Sequence, residues 1–243
     1  MLTTILSRFT PLFYLSVLSF LLSTQPSFSQ DLSEEDKATL LQQIESIAEL
    51  DQRYRTPLSL GTLNDSIIQV DKVKSRTLSL EEYMAYKQTL DLKLPKAVED
   101  SLWILQREID QQNLEAFKVI IQDYGYPSKE RLGTKTDQLF ILLLHPPYPK
   151  AEIPAFMEEM STLLLPEVKA GRMPAKSYAM FYDNMLGKIL RKPQLYGTNQ
   201  QFDVKTRTIL PPGIIDIDAT NKARVSIGLP VLEEGEYRII EAQ

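Results

Sequence analysis

His145 is the only histidine in the chain, and it follows six consecutive apolar residues, Leu139 to Leu144. Histidine alone has an unperturbed pKa near neutrality, which makes His145 the natural proton-transfer group. At a helix C-terminus it has a second reading, in which the ring donates to the last carbonyls and answers the helix dipole. Asp183 is the acid expected to work with it; its bland reading is a solvated or ion-paired surface carboxylate. Gln194-Leu195-Tyr196-Gly197-Thr198 sets an amide, a phenol and a hydroxyl around a glycine. Such a turn can present donors to a sugar, carboxylate or peptide while the glycine lets a ligand approach the main chain. It can equally be a corner in which Gly197 takes positive φ and Thr198 bonds locally. Asp110 and Asn113, one helical turn apart, either join a site or anchor a loop. Arg224 is either a ligand clamp or an exposed partner of Asp216 or Asp218. The functional reading has His145 and Asp183 catalytic. Gln194, Tyr196, Gly197, Thr198, Asp110, Asn113 and Arg224 then bind the ligand, with the histidine and the turn converging on one pocket.

Other chemistries are harder to build. There is no cysteine, which excludes disulfides, thiol nucleophiles and thiolate metal sites. One histidine cannot make a histidine-rich metal centre, and Asp216-Ile217-Asp218 is too sparse for a calcium loop. No Gly-x-Ser-x-Gly elbow or phosphate-cradling glycine loop is present. No metal and no cofactor is therefore expected. A glycosidase-type carboxylate pair is permitted by 32 acidic residues but has no motif behind it. The 27 basic residues are scattered, leave a net charge of −5, and form no stripe of the kind nucleic acid requires.

Stepping along the chain, helical signals dominate. Ser33-Glu34-Glu35-Asp36 reads as a capping box, and Leu40, Ile44, Ile47 and Ala48 recur at helical spacing to about Arg53. Pro57 and Gly61 break that pattern, and residues 56–79 read as irregular. Ser79 with Glu82 opens another helix that Pro95 ends or kinks. Val98, Leu102, Leu105 and Ile109 form an apolar row continued by Phe117, Ile120, Ile121 and Tyr124, with Gly125 and Pro127 as the stop. Thr134 to Asp137 is a further box, and the helix after it lacks a solvent face and so belongs at the centre of the domain. Helices are expected over about 151–170 and 174–191. In the second, Tyr178, Phe181, Tyr182, Met185 and Ile189 face inward, and Met180, Asp183, Asn184, Gly187 and Arg191 lie on the other face. Residues 195–209 read as a small hairpin or ribbon and 218–227 as a last short helix. The expected fold is mainly α, a multi-helix single domain with a small β-hairpin near the C-terminus. Residues 30–95 would be a variable helical extension and 96–243 the helical domain.

The order and spacing of these seam residues resemble a family of bacterial domains of unknown function, many of them exported. In that pattern an Asp-x-x-Asn helix ends in Gly-x-Pro and another helix ends at a single histidine. An Asp-Arg pair follows, then Gln-x-Tyr-Gly-Thr-Gln and a closing Arg-x-x-x-Gly-Leu. Asp110, Asn113, Gly125, Pro127, His145, Asp183, Gln194, Tyr196, Gly197, Thr198, Arg224, Gly228 and Leu229 stand at those places, over about residues 98–232. Asn184 replaces the arginine of the pair and Asn199 the last glutamine. If that arginine held an anion in relatives, this chain takes a different ligand or none, unless Arg191 on the same helix face substitutes. The resemblance implies a polar site but no reaction, since the family has none established.

The first 29 residues read as a signal peptide. Arg8 is followed by a short apolar run from Pro11 to Leu22, and Ser27-Phe28-Ser29 offers a small-x-small cleavage site. The run is about 12 residues, short of the roughly 20 an anchor needs. Cleavage removes one base and no acid, taking the charge from −5 to about −6, and leaves about 214 residues, enough to bury a core unaided. The expectation is a secreted or periplasmic protein with no stable membrane span. Its partner would be an unknown small molecule or, if the seam residues are structural, another envelope protein.

Overall fold

The computed structural model describes residues 32–90, 92–133, 139–203, 206 and 208–241. The expected signal peptide, the Thr134–Asp137 box and part of the hairpin tip lie outside them. From Leu32 onward the chain forms one compact unit.

The architecture is mainly α. Helix α1 (Glu34–Gln52) starts on Ser33, whose hydroxyl accepts from the Asp36 amide, as a capping serine does. Leu40, Ile44 and Ile47, at i, i+4 and i+7, pack on Leu114, Phe117, Ile120 and Ile121 of α5 (Lys96–Tyr124). The N-terminal segment thus contributes directly to the main core.

Two short helices, α2 (Arg55–Leu60) and α3 (Asp65–Thr77), occupy the stretch that reads as irregular. Pro57 sits in the first turn of α2, where its missing N–H costs nothing. The Asn64 side chain caps α3 by accepting from Ser66 and Ile67. Helix α3 buries only Asp71, so it lacks the apolar stripe by which a helix is read from sequence. Helix α4 (Leu80–Thr89) has the full Ser79–Glu82 capping box, and Pro95 caps the N-terminus of α5.

The row expected on α5 is corrected by the structure. Leu105 is exposed, and the buried stripe runs Leu102, Gln106, Asp110, Asn113, Leu114 and Phe117. Three polar residues therefore lie on the inward face, and each needs a partner there.

After the short α6 (Lys129–Leu132), helix α7 (Phe140–Leu144) is central, with Leu139, Leu142 and Leu143 buried. It packs between α5 and α9 (Ala175–Asn184). Helix α8 (Ile153–Lys169) completes the core, its Phe156 meeting Phe181 edge-on at 5.9 Å. A π-turn over Met185–Leu190 prolongs α9. The hairpin is β1 (Gln201–Asp203) with β2 (Thr208–Leu210), antiparallel. A second, parallel pair joins β3 (Gly213–Ile214) to β4 (Arg238–Ile239), and α10 (Ile217–Ser226) lies between them in sequence. Among the described residues no helix is long and apolar enough to cross a membrane.

Candidate functional site

The inward polar residues of α5 find their partners at the α1–α2 junction. Arg55, at the first position of α2, sends both terminal nitrogens to the Asp110 carboxylate at 2.7 Å each, a bidentate fork. Its Nη1 also donates to the Asp51 carbonyl at 2.7 Å and lies 3.1 Å from Asp51 Oδ1. Gln106 donates to Asp110 at 2.9 Å and accepts from the Tyr54 amide, while Asn113 donates to the Ile47 carbonyl. Asp110 and Asn113 thus lock α5 to the N-terminal helices, and the acid also belongs to a charged cluster.

His145 completes that cluster. It caps α7 with its own amide on the Leu142 carbonyl, and its Nδ1 lies 3.1 Å from Asp51 Oδ1. The Asp51 side chain is 1 % exposed and the imidazole 27 %. Burial pushes the Asp51 carboxyl up, but the His145 bond, the Arg55 charge and the Gln52 amide together hold it below the ordinary carboxylate range. Among the described residues His145 Nε2 has no protein partner. The ring lines a cavity of about 480 Å³ with Arg55, Leu58, Ser59, Glu99 and Trp103.

The Gln194–Thr198 turn is built around a different acid. Asp183 is fully buried, which corrects its expected place on the outer face of its helix. Its Oδ1 accepts from the Leu195 and Tyr196 amides, and its Oδ2 from the Thr198 amide and hydroxyl, all within 2.8–2.9 Å. Burial pushes this carboxyl above its ordinary value, against the four donors that favour the charge. Gln194 accepts from Thr198 and Asn199 and donates to the Asn199 carbonyl. Asn199 donates to the Met180 carbonyl. The Tyr196 ring packs edge-on against Tyr178 and Tyr182, and burial first, then those phenols, push its hydroxyl up.

Gly197 sits at φ +61°, and a Cβ there would come within 2.8 Å of Leu232. Its glycine requirement comes from the chain's own packing. Arg224 is buried and donates to the Pro230 and Tyr196 carbonyls at 2.6 and 2.7 Å. It pairs with neither Asp216, which caps α10, nor Asp218. Burial lowers its pKa, with Glu236 and Asp183 acting the other way. Asn184 is buried and Arg191 exposed.

The predicted residues therefore fall into two sets. His145 and Asp110 share the Asp51–Arg55 cluster; Asp183, Gln194, Tyr196, Thr198 and Arg224 form the other. Among the described residues no hydrogen bond joins the sets, and they line different cavities. The turn borders a cleft of about 890 Å³ that also has Lys176, Lys188, Arg224 and Glu236 on its walls.

Sequence reasoning missed Asp51, Arg55 and Gln106. Two signals were available: the acid–base spacing of Asp51 and Arg55 at i, i+4, and the polar stripe Gln106-Asp110-Asn113 at i, i+4, i+7. Such a stripe on a helix with an apolar face marks a partnered network on that face. No protein-family model, no curated protein and no solved structure matches the chain.

Proposed function

We propose that this chain is an exported small-ligand-binding domain of hydrolase-like character, with His145 as its proton-transfer group. One observation carries the reading: a partly exposed imidazole at a cavity wall, with Nδ1 held by the buried Asp51. With Asp51 ionised, Nδ1–H donates to it, and Nε2 is left to accept a proton from water or a ligand hydroxyl. Asp51 therefore acts as the orienting acid, whereas sequence reasoning named Asp183 as the catalytic carboxylate to accompany His145. Arg55 and Asp110 hold Asp51 and the α1–α2 junction in place. Ser59 adds a hydroxyl to the same wall but makes no hydrogen bond to His145, so water is the nucleophile in this reading. Asp183, Gln194, Thr198 and Arg224 serve as scaffold. Export rests on residues 1–29, and the resemblance to the exported domain family supports it.

The test is a panel of chromogenic esters, amides and glycosides with wild type and His145→Gln. We predict turnover that falls by about 10²- to 10⁴-fold in the variant, with little change in the denaturation midpoint. A loss of about 2 kcal/mol or more in His145→Gln, with no turnover by either protein, would mark the residue as structural.

The rival reading, a non-catalytic envelope interaction protein, is favoured by one specific observation. The side chains of Asp183, Gln194 and Arg224 bond backbone groups of the chain itself, and the Thr198 hydroxyl bonds Asp183. In that case Tyr196→Phe and His145→Gln lower the midpoint alike.

A further inference from the structure

The walls of the His145 cavity constrain what can enter it. Trp103 is the only tryptophan in the chain. It is 43 % exposed and stands on the cavity wall, although α5 offers a buried face on its other side. Glu99 is one turn earlier on α5, at i−4, so its carboxylate and the indole share a helix face. Leu58 supplies a second apolar wall.

The charges decide the sign of the guest. On the wall itself Glu99 stands against Arg55, and the buried Asp51 and Asp110 paired with Arg55 add two more negative charges behind it, an excess of negative charge whether His145 is neutral or protonated. Arg55 is ill placed to hold an anion, because both of its terminal nitrogens are bonded to Asp51 and Asp110. Lys96 is the nearest competitor for Glu99, but its ammonium lies 2.7 Å from Asp100 and only 4.0 Å from Glu99. An aromatic face beside a carboxylate is the arrangement that attracts a cation on an apolar stem.

Resting on the proposed site, we infer that this cavity takes an alkylammonium group, seated between the Trp103 indole and the Glu99 carboxylate. The ammonium sits at the rim and its stem runs along Leu58 toward His145. The substrate class is thus an amine-bearing molecule, either a free small amine or a lysine side chain on a peptide.

Because Trp103 is the sole tryptophan, its fluorescence reports on this cavity alone. The probes are butylammonium chloride, tetramethylammonium chloride and Nα-acetyl-lysinamide, with sodium butyrate and sodium phosphate as controls at matched ionic strength. A saturable change with the ammonium probes and none with the anions is expected. Glu99→Gln should weaken binding about tenfold. Tighter binding of acetyl-lysinamide than of butylammonium identifies a peptide source, and the reverse a free amine. The inference is overturned by equal response to butyrate, by unchanged affinity in Glu99→Gln, or by no saturation up to about 50 mM of any ammonium probe. Should that occur while His145-dependent turnover is found, the ligand class fails and the proton-transfer site stands.

Discussion

Asp183 and Asp51 are both buried carboxylates, and their surroundings give them opposite roles. Asp51 meets an imidazole, which can exchange a proton with a guest, and a guanidinium, which favours its ionised form. Asp183 meets three amides and a hydroxyl of one loop, and its acceptor capacity is used up in fixing that loop. We predict that Asp183→Asn lowers stability by about 2 kcal/mol in urea unfolding, because an NH₂ then faces a donor of Thr198, Leu195 or Tyr196. A rise in the midpoint would instead mean that the cost of burying the charge exceeds the value of the four bonds. Asp183 was legible from sequence as a residue to watch, but as a surface acid. Helical phase places it at the border of a face, and nothing local shows that a loop 12 residues later folds over it.

At the scale of elements, seams are held by single side chains reaching between helices. Glu167 of α8 accepts from the Tyr126 amide at 2.7 Å and takes both ends of the Arg172 fork, and Arg131 donates to the Tyr126 carbonyl. The Gly125-Tyr126-Pro127 stop is thereby fastened to α8. Gly125 has φ +73°, and a Cβ there would press at 3.0 Å on Glu167 and Arg172. We predict that Glu167→Ala costs about 3 kcal/mol. Gly125→Ala should also destabilise, and the two losses should be less than additive in a double-mutant cycle, because both disturb one seam. Full additivity would show that the glycine acts through its backbone angle alone. Most helices were legible because capping boxes and stops are local. Helices α2 and α3 were not, since α3 buries one acid and lies on the surface.

Over the whole molecule, the buried acids set the response to pH. Burial raises Glu167, but the Arg172 fork and the Tyr126 amide outweigh it, so its pKa, like that of Asp51, lies below the ordinary value. A depressed acid stabilises the fold fully above the unfolded value of about 4 and loses that contribution as pH falls through the lower folded value. Asp183 is raised, so its contribution runs the other way and grows on acidification. We predict that the gap in unfolding free energy between wild type and Glu167→Gln narrows as pH falls from about 6 to about 3. A gap that stays constant over that range would show that Glu167 acts by shape and not by charge.

Sequence alone determined the mainly α class, the caps at Ser33 and Ser79, the stop at Gly125, the central place of Leu139–Leu144 and the small C-terminal hairpin. These follow from rules that act within a few residues: apolar period, side-chain-to-amide capping, and the backbone freedom of glycine. It also singled out His145, Asp110 and Asp183 as residues with chemistry to explain. Only the tertiary structure decided their partners. Asp51 lies 94 residues from His145 in the chain and Arg55 lies 55 from Asp110, and no local pattern encodes pairings over such distances. Burial then separates a histidine left open to a cavity from a turn whose donors are met by Asp183 and Gln194.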